Sequence, residues 1–440
     1  MSDSVNGYAN GYANGLSENE IGESTKKIKI LFYATHPSQP IGYGKIGNTI
    51  SNFLAAQPNV ELYYFAISNF PGQTDETRFI NPNIKFIDAL AEDAAIGSSE
   101  LYGVDIIDRV MREIKPDIFI IYNDIIVTSR LLNALLQYRQ EFKDVTRFVS
   151  YVDLVYPFEK LRYIRHIDRN VDYFFAFSDF WKKNLIDMGV RADKVGIFYH
   201  GFDKHKFQII PSEVAKEHFG FSTDDFIILN TNRNTYRKAH DISMKAFLEL
   251  LRREKMDSRI KLFINHQMDS PSGYNIYDLL EVECLKLGLV YEDVLNKHVF
   301  MFKNKVGHAE DSQINLLYNA ADVGINTCLG EGFGLCSMEH AALGKPQVIS
   351  SVGALTDIFK SGGSVLVKPK AVLSVANHVD EHNGDLHICD YNDFADGLQM
   401  YFHNSSKRKV DGYDIREHIL NTYNWNTILV EFMKDLKKIL

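Results

Sequence analysis

The chain has 440 residues, too many for one ordinary core and suited to two domains. Apolar residues make up 45% and charged residues 24%, a globular balance. A net charge of −9 excludes a general nucleic-acid binder but leaves room for a local basic pocket. Cys284, Cys328, Cys336 and Cys389 form no C-x-x-C pair and read as reduced thiols. No apolar run approaches the ~18 residues of a membrane span, and the N-terminus lacks a secretory pattern. A cytoplasmic protein without a transmembrane segment is expected.

Residues 1–25 repeat Asn-Gly-Tyr-Ala without an amphipathic period, which predicts a disordered tail. Lys29–Tyr33 then reads as a buried strand. A loop with Pro37, Pro40, Gly42, Gly44 and Gly47 follows, and Ile46–Ala56 reads as a helix. Further strands are predicted at Val60–Ile67, Ile84–Ile87, Asp117–Tyr122, Arg147–Tyr151, Tyr173–Phe177 and Val195–Tyr199. Helices are predicted between them, among them Asp105–Ile114 and Ser129–Phe142. Short apolar strands alternating with helices imply a parallel sheet covered on both faces. This sets a first domain over residues 26–203.

Gly201–Phe221 breaks the rhythm. The alternation restarts with Phe226–Thr231, Ile260–Asn265, Val299–Phe302, Asp322–Asn326, Gln347–Ser350 and Val365–Val367, giving a second domain over residues 204–420. The fold class is therefore α/β, with two doubly wound, Rossmann-like lobes facing each other. Ligands in such sheets bind beyond the carboxyl ends of the strands, so the interlobe cleft is the expected site.

Asp322–Ser350 carries the most chemistry. A strand runs into Gly330-Glu331-Gly332-Phe333-Gly334, then a helix containing Glu339, then the turn Gly344-Lys345-Pro346. Glycines let backbone N–H groups approach a ligand. At a helix N-terminus those groups favour a phosphate. Carboxylates accept hydrogen bonds from hydroxyl pairs, so one of Glu331 and Glu339 can hold a sugar and the other a ribose.

Two other patterns point elsewhere. His378 to His382 fits H-x-x-E-H, a zinc-protease arrangement. It is polar, stops at Asn383-Gly384 and has no third ligand, so a surface helix end is expected. The basic, aromatic-interleaved run from Lys160 to Arg169 reads as a solvated helix face. Its alternative is peripheral contact with a membrane or an acidic acceptor.

Seven residues separate Glu331 from Glu339, and Glu331-Gly332-Phe333-Gly334-Leu335 opens the motif. This E-x(7)-E pattern resembles the donor-site signature of glycosyltransferase family 4, and Glu339 to Ser350 is similar to the family's continuation. Leu229–Ala246 resembles the strand and turn that carry the family's Arg and Lys. The resemblance implies a GT-B fold and a retaining transferase moving a hexose from a nucleoside diphosphate sugar to a glycan or other acceptor hydroxyl. The donor is expected to be GDP-mannose, ahead of UDP-glucose, with base selection assigned to the loop Phe302–His308. Glu331, Arg233 and Lys238 are the implied catalytic residues. Gly42, Gly44, Arg237, Gly332, Phe333, Gly334, Leu335 and Glu339 are the implied donor-binding residues. No cofactor and no metal are expected, because two cations and helix amides replace one. His200 stands where the family's exit turn has Asn, and is expected to be structural. The family's first-lobe His is missing, and Tyr151 or Asp153 is the acceptor-side candidate in its place. The last helix, 421–440, is implied to cross back to the first lobe. An adaptor that binds nucleotide sugars without transferring them is the alternative reading.

Overall fold

The structure is a computed structural model that describes residues 26–70, 72, 74–97, 100–302, 309–376 and 382–440. The expected tail over 1–25, the candidate base-selecting segment 303–308 and residues 378–381 of the H-x-x-E-H pattern lie outside them.

Two sheets organise the chain. The first contains β1 (Ile28–Thr35), β2 (Val60–Ile67), β3 (Lys85–Asp88), β4 (Ile118–Asp124), β5 (Arg147–Asp153), β6 (Tyr173–Ala176) and β7 (Val195–Ile197). Their order is β3-β2-β1-β4-β5-β6-β7, all parallel. The second contains β8 (Phe226–Asn230), β9 (Ile260–Ile264), β10 (Val299–Met301), β11 (Val323–Asn326), β12 (Gln347–Ser350) and β13 (Val365–Val367), ordered β10-β9-β8-β11-β12-β13 and also parallel. Parallel strands need crossover helices on both faces, which is why strands such as Phe226–Asn230 are buried throughout. The strand order reverses between β1 and β4 and between β8 and β11. Each reversal opens a crevice at the carboxyl ends.

Several local expectations shift. The predicted loop around Gly42 and Gly44 is already helical, because the helix begins at Gly42 and runs to Ala55. The single predicted helix Ser129–Phe142 is two helices, Ile125–Ala134 and Leu136–Glu141. Asp124 caps the first of these through the Ile126 and Val127 amides, which pulls its start four residues earlier. The expected helix end at His378–His382 falls, except for His382, outside the described residues. Two further strands, β14 (Ala371–Val375) and β15 (Gly384–Ile388), pair antiparallel. Val372 and Leu373 are exposed on this hairpin, so no buried face advertises it as a strand pair in the sequence.

Chain passes between the lobes twice, side by side. The Phe202 amide donates to the Tyr423 carbonyl at 2.8 Å. The helix Trp425–Ile439 then packs on the first lobe, with Phe432 stacked on Phe198 at 4.0 Å and edge-on to Phe175 at 5.1 Å. Gly201 sits where a Cβ would meet the Trp425 ring at 2.6 Å. Gly201→Ala should therefore cost about 1–3 kcal/mol of overpacking. A thermal melt showing an unchanged midpoint would remove this role. No helix among the described residues is long and apolar enough to cross a membrane.

Candidate functional site

The second lobe supplies a charged triad. β8 ends in a turn whose backbone is tied down by Asn230, Asn232 and Asn234. The turn delivers Arg237 and Lys238 through Ala239, a non-glycine residue held at φ 47°. Such a conformation persists only where the surroundings enforce it. Thr327, just after β11, donates to the Ala239 carbonyl at 2.9 Å. Lys238 pairs with one oxygen of Glu331, and Arg237 lies 3.4 Å from the other while donating to the Gly330 carbonyl at 2.6 Å. Burial would raise the Glu331 carboxyl, but the two cations outweigh it and hold the group down at about 2. It is an anion throughout the neutral range.

Helix N-termini from opposite lobes face this triad. Gly334, at φ 86°, starts the helix Leu335–Ala342, and Gly42 starts its counterpart. Neither helix has a side-chain cap or an acidic residue in its first turn. Their leading N–H groups are thus left for an anion. A Cβ on Gly42 would lie 3.3 Å from Leu335, which shows how closely the two starts approach. Gly42 is exposed, whereas Gly44 is buried and its Cβ would overlap the Gln39 carbonyl. Gly44 shapes the turn, and Gly42 faces the gap.

The first lobe adds Asp153 at the end of β5. Its Oδ2 accepts from the Tyr43 hydroxyl at 2.6 Å, and its buried Oδ1 has no hydrogen-bond partner among the described residues. A Cβ on Gly332 would overlap that oxygen, so Asp153 stands directly across from the Glu331 loop. Burial raises the Asp153 carboxyl to about 6, against the opposing pull of Tyr43 and Arg237. Trp181 fixes the loop from the same side, its indole N–H donating to the Gly332 carbonyl at 2.6 Å.

The structure therefore gathers Glu331, Lys238, Arg237, Gly332, Gly334, Leu335, Gly42 and Asp153. It leaves five expected residues outside this group: Arg233, Tyr151, the Phe333 side chain, Gly44, which shapes the turn, and Glu339, whose oxygens are taken by Lys45 and Tyr318. Arg233 is exposed on the turn, and its carbonyl is engaged by the His240 ring and the Thr235 amide. Arg237, in the short helical turn Tyr236–Lys238, makes the contact with Glu331 instead. Tyr151 is buried among Tyr122, Phe177 and Phe198, and its hydroxyl donates to the Phe198 carbonyl. Phe333 turns its ring inward onto His200 at 4.6 Å, leaving only its backbone for a ligand. His200 is buried, both ring nitrogens lack a partner among the described residues, and burial pushes it down to about 3. It is a neutral packing residue.

The hairpin β14–β15 touches both lobes, the Asp385 amide donating to the Pro157 carbonyl and the His387 amide to the Leu329 carbonyl. His382 donates from Nδ1 to Glu159 at 3.0 Å, and Glu159 also accepts from the Val155 and Tyr156 amides. His382 is thus committed to a first-lobe carboxylate. Burial lowers its pKa, but Glu159 wins and raises it to about 9. A raised folded-state pKa gives stability that is full below the unfolded value and is lost as pH climbs through about 9. The melting-temperature gap between wild type and His382→Leu should be widest near pH 6 and closed by about pH 10. A pH-independent gap would contradict this.

Comparison with known proteins supplies the family. Residues 211–383 match the model for glycosyl transferases group 1. The chain is 30% identical over 250 residues to glycosyltransferase MJ1607 of Methanocaldococcus jannaschii, covering 56% of this chain and 54% of that protein. It is 25% identical over 201 residues to mannosylfructose-phosphate synthase of Agrobacterium fabrum, covering 45% and 41%. The chain thus spans about half, or less, of the curated relatives it matches. Among solved structures, Anabaena HepE in complex with UDP and glucose superposes with a TM-score of 0.66 at 15% identity, covering 93% of this chain and 99% of that one. Sucrose-phosphate synthase of Thermosynechococcus elongatus gives 0.67 at 16%, covering 94% and 99%. The fold is that of the GT-B glycosyltransferases.

Tyr43, Lys45 and Trp181 are site residues that sequence reading missed. Tyr43 lies between the two glycines that drew attention, and Trp181 is one of only two tryptophans. Lys45 on an amphipathic helix gives no signal at all.

Proposed function

We propose that the protein is a cytoplasmic retaining hexosyltransferase acting on a nucleoside diphosphate sugar and an acceptor hydroxyl, without a metal ion. The observation that carries this reading is the meeting of Glu331, Lys238 and Arg237 with two uncapped helix starts from opposite lobes. In this reading the diphosphate lies between the helix starts. The bond from the anomeric carbon to the phosphate oxygen breaks, and Lys238 and Arg237 neutralise the charge that builds there. Glu331 holds hydroxyls of the transferred sugar, and Glu339 holds the ribose. The acceptor hydroxyl adds to the face the diphosphate leaves, and its proton passes to the departing phosphate oxygen. Asp153 receives the acceptor side, its free oxygen taking a hydroxyl proton donor. GDP-mannose is the proposed donor, and UDP-glucose the second. The mannosyl product named for one relative favours the first, and the UDP complex of a fold neighbour favours the second.

A thermal-shift panel of GDP-mannose and UDP-glucose with EDTA tests the donor and the absence of a metal together. A rise with one nucleotide family is expected. No rise with either, followed by a rise when magnesium or manganese is restored, would overturn metal independence. Binding without product across an acceptor panel would replace the enzyme with the adaptor reading. The pH profile gives a separate check. Asp153 sits at about 6, so transfer should fall as pH drops through that value, and Asp153→Asn should remove this limb.

A further inference from the structure

We propose that Lys45 is a positioning residue of the donor site that competes with the donor ribose for Glu339. Nucleotide binding then exchanges an ion pair between the lobes for ribose hydroxyls. The inference rests on the reading of Glu339 as the ribose-holding carboxylate.

Glu339 is only 6% exposed, and both of its oxygens are taken. Lys45 Nζ lies 2.5 Å from Oε1, and the Tyr318 hydroxyl donates to Oε2 at 3.2 Å. Tyr318 belongs to the same lobe as Glu339. Lys45 comes from the opposite lobe, one turn along the helix that begins at Gly42. A ribose diol binds a carboxylate through both hydroxyls and needs an open edge, which Lys45 now fills. Either the diol or the lysine can hold that edge.

The surroundings make the exchange cheap. Moving a buried cation off its partner normally carries a heavy desolvation cost. Here Asp311 already lies 3.6 Å from Lys45 Nζ, and the Phe207 ring packs under the ammonium at 4.2 Å. Asp311 also meets Lys206 at 3.5 Å and remains ionised, its carboxyl held below the usual range by Lys45 and Lys206 despite burial. Lys45 can therefore retreat to Asp311 as the ribose arrives, without losing an anionic partner. Burial opposes the charge on Lys45, but Glu339 and Asp311 together raise its pKa and keep it protonated.

The test is calorimetric titration of the full chain with UDP, GDP and inorganic pyrophosphate, the last lacking a ribose. Lys45→Met should tighten the nucleotide that binds wild type by roughly fivefold or more, the scale of an ordinary coupling. Pyrophosphate affinity should stay the same. Asp311→Asn removes the retreat position and should weaken the same nucleotide, again sparing pyrophosphate. Circular dichroism and a thermal melt establish that both variants are folded. Unchanged or weaker nucleotide binding by folded Lys45→Met overturns the competition while leaving the donor site in place. Equal tightening of pyrophosphate also overturns it, because the effect would not be on the ribose. If neither nucleotide binds wild type or variant, the proposed donor site itself falls.

Discussion

Glu331→Gln should lower kcat/KM for transfer by about 10²–10³-fold. The substitution preserves volume, removes one charge and replaces one acceptor oxygen by an amide donor. That charge is what Lys238 and Arg237 face in the resting site, and its carboxyl is held at about 2, so it is ionised wherever the protein is assayed. Losing it weakens the grip on the transferred sugar and leaves two buried cations without their shared anion. Breaking a buried pair from one side costs about 3–5 kcal/mol of stability in typical cases. The variant should therefore melt earlier as well as react more slowly. Bound nucleoside diphosphate should recover part of the melting temperature by giving the cations a new anion. Initial rates over a donor series, read beside thermal melts, check both parts. Wild-type transfer by folded Glu331→Gln would remove Glu331 from the chemistry.

Lys238→Met should erase the donor-induced thermal shift and reduce kcat/KM by about 10²-fold or more. Methionine replaces the aliphatic stem of the lysine but carries no charge, so packing near Thr327 and Ala239 survives. Arg237 remains, yet it already spends one N–H on the Gly330 carbonyl and lies 3.4 Å from Glu331. It cannot replace a second ammonium at the leaving oxygen. Lys238→Arg should rescue little, because a planar fork does not fit a buried point-charge position. Arg233→Met gives the contrast. Its side chain is exposed outside the triad, and the effect on transfer should be several-fold smaller. Equal losses for Arg233→Met and Lys238→Met would show that the turn rearranges when donor binds.

Sequence and structure divide the site along a physical line. Expected residues that the structure brings together sit mostly on local motifs. Gly332, Gly334 and Leu335 open a helix, and Lys238 follows a strand, so strand–turn–helix spacing alone aims them at the carboxyl edge of the sheet. Gly42 was placed the same way, although the helix it begins was expected to start later. Asp153 was reached through the position of an absent histidine. Tyr151, two residues before it in the same strand, shares its face of the pleat but lies deeper, in the aromatic core with Tyr122, Phe177 and Phe198.

What the sequence by itself determined was the two-lobed α/β architecture, the parallel sheets and the Glu331–Glu339 motif. Each follows from periodicity and short-range spacing, which act over a few residues. Only the tertiary structure decided which charges pair. Arg237 rather than Arg233 meets Glu331, Lys45 crosses from the opposite lobe to Glu339, Tyr43 holds Asp153, and His382 closes on Glu159. These partners are separated by 94, 294, 110 and 223 positions along the chain. Electrostatic pairing depends on distance in space and on burial, and the docking of the two lobes sets both.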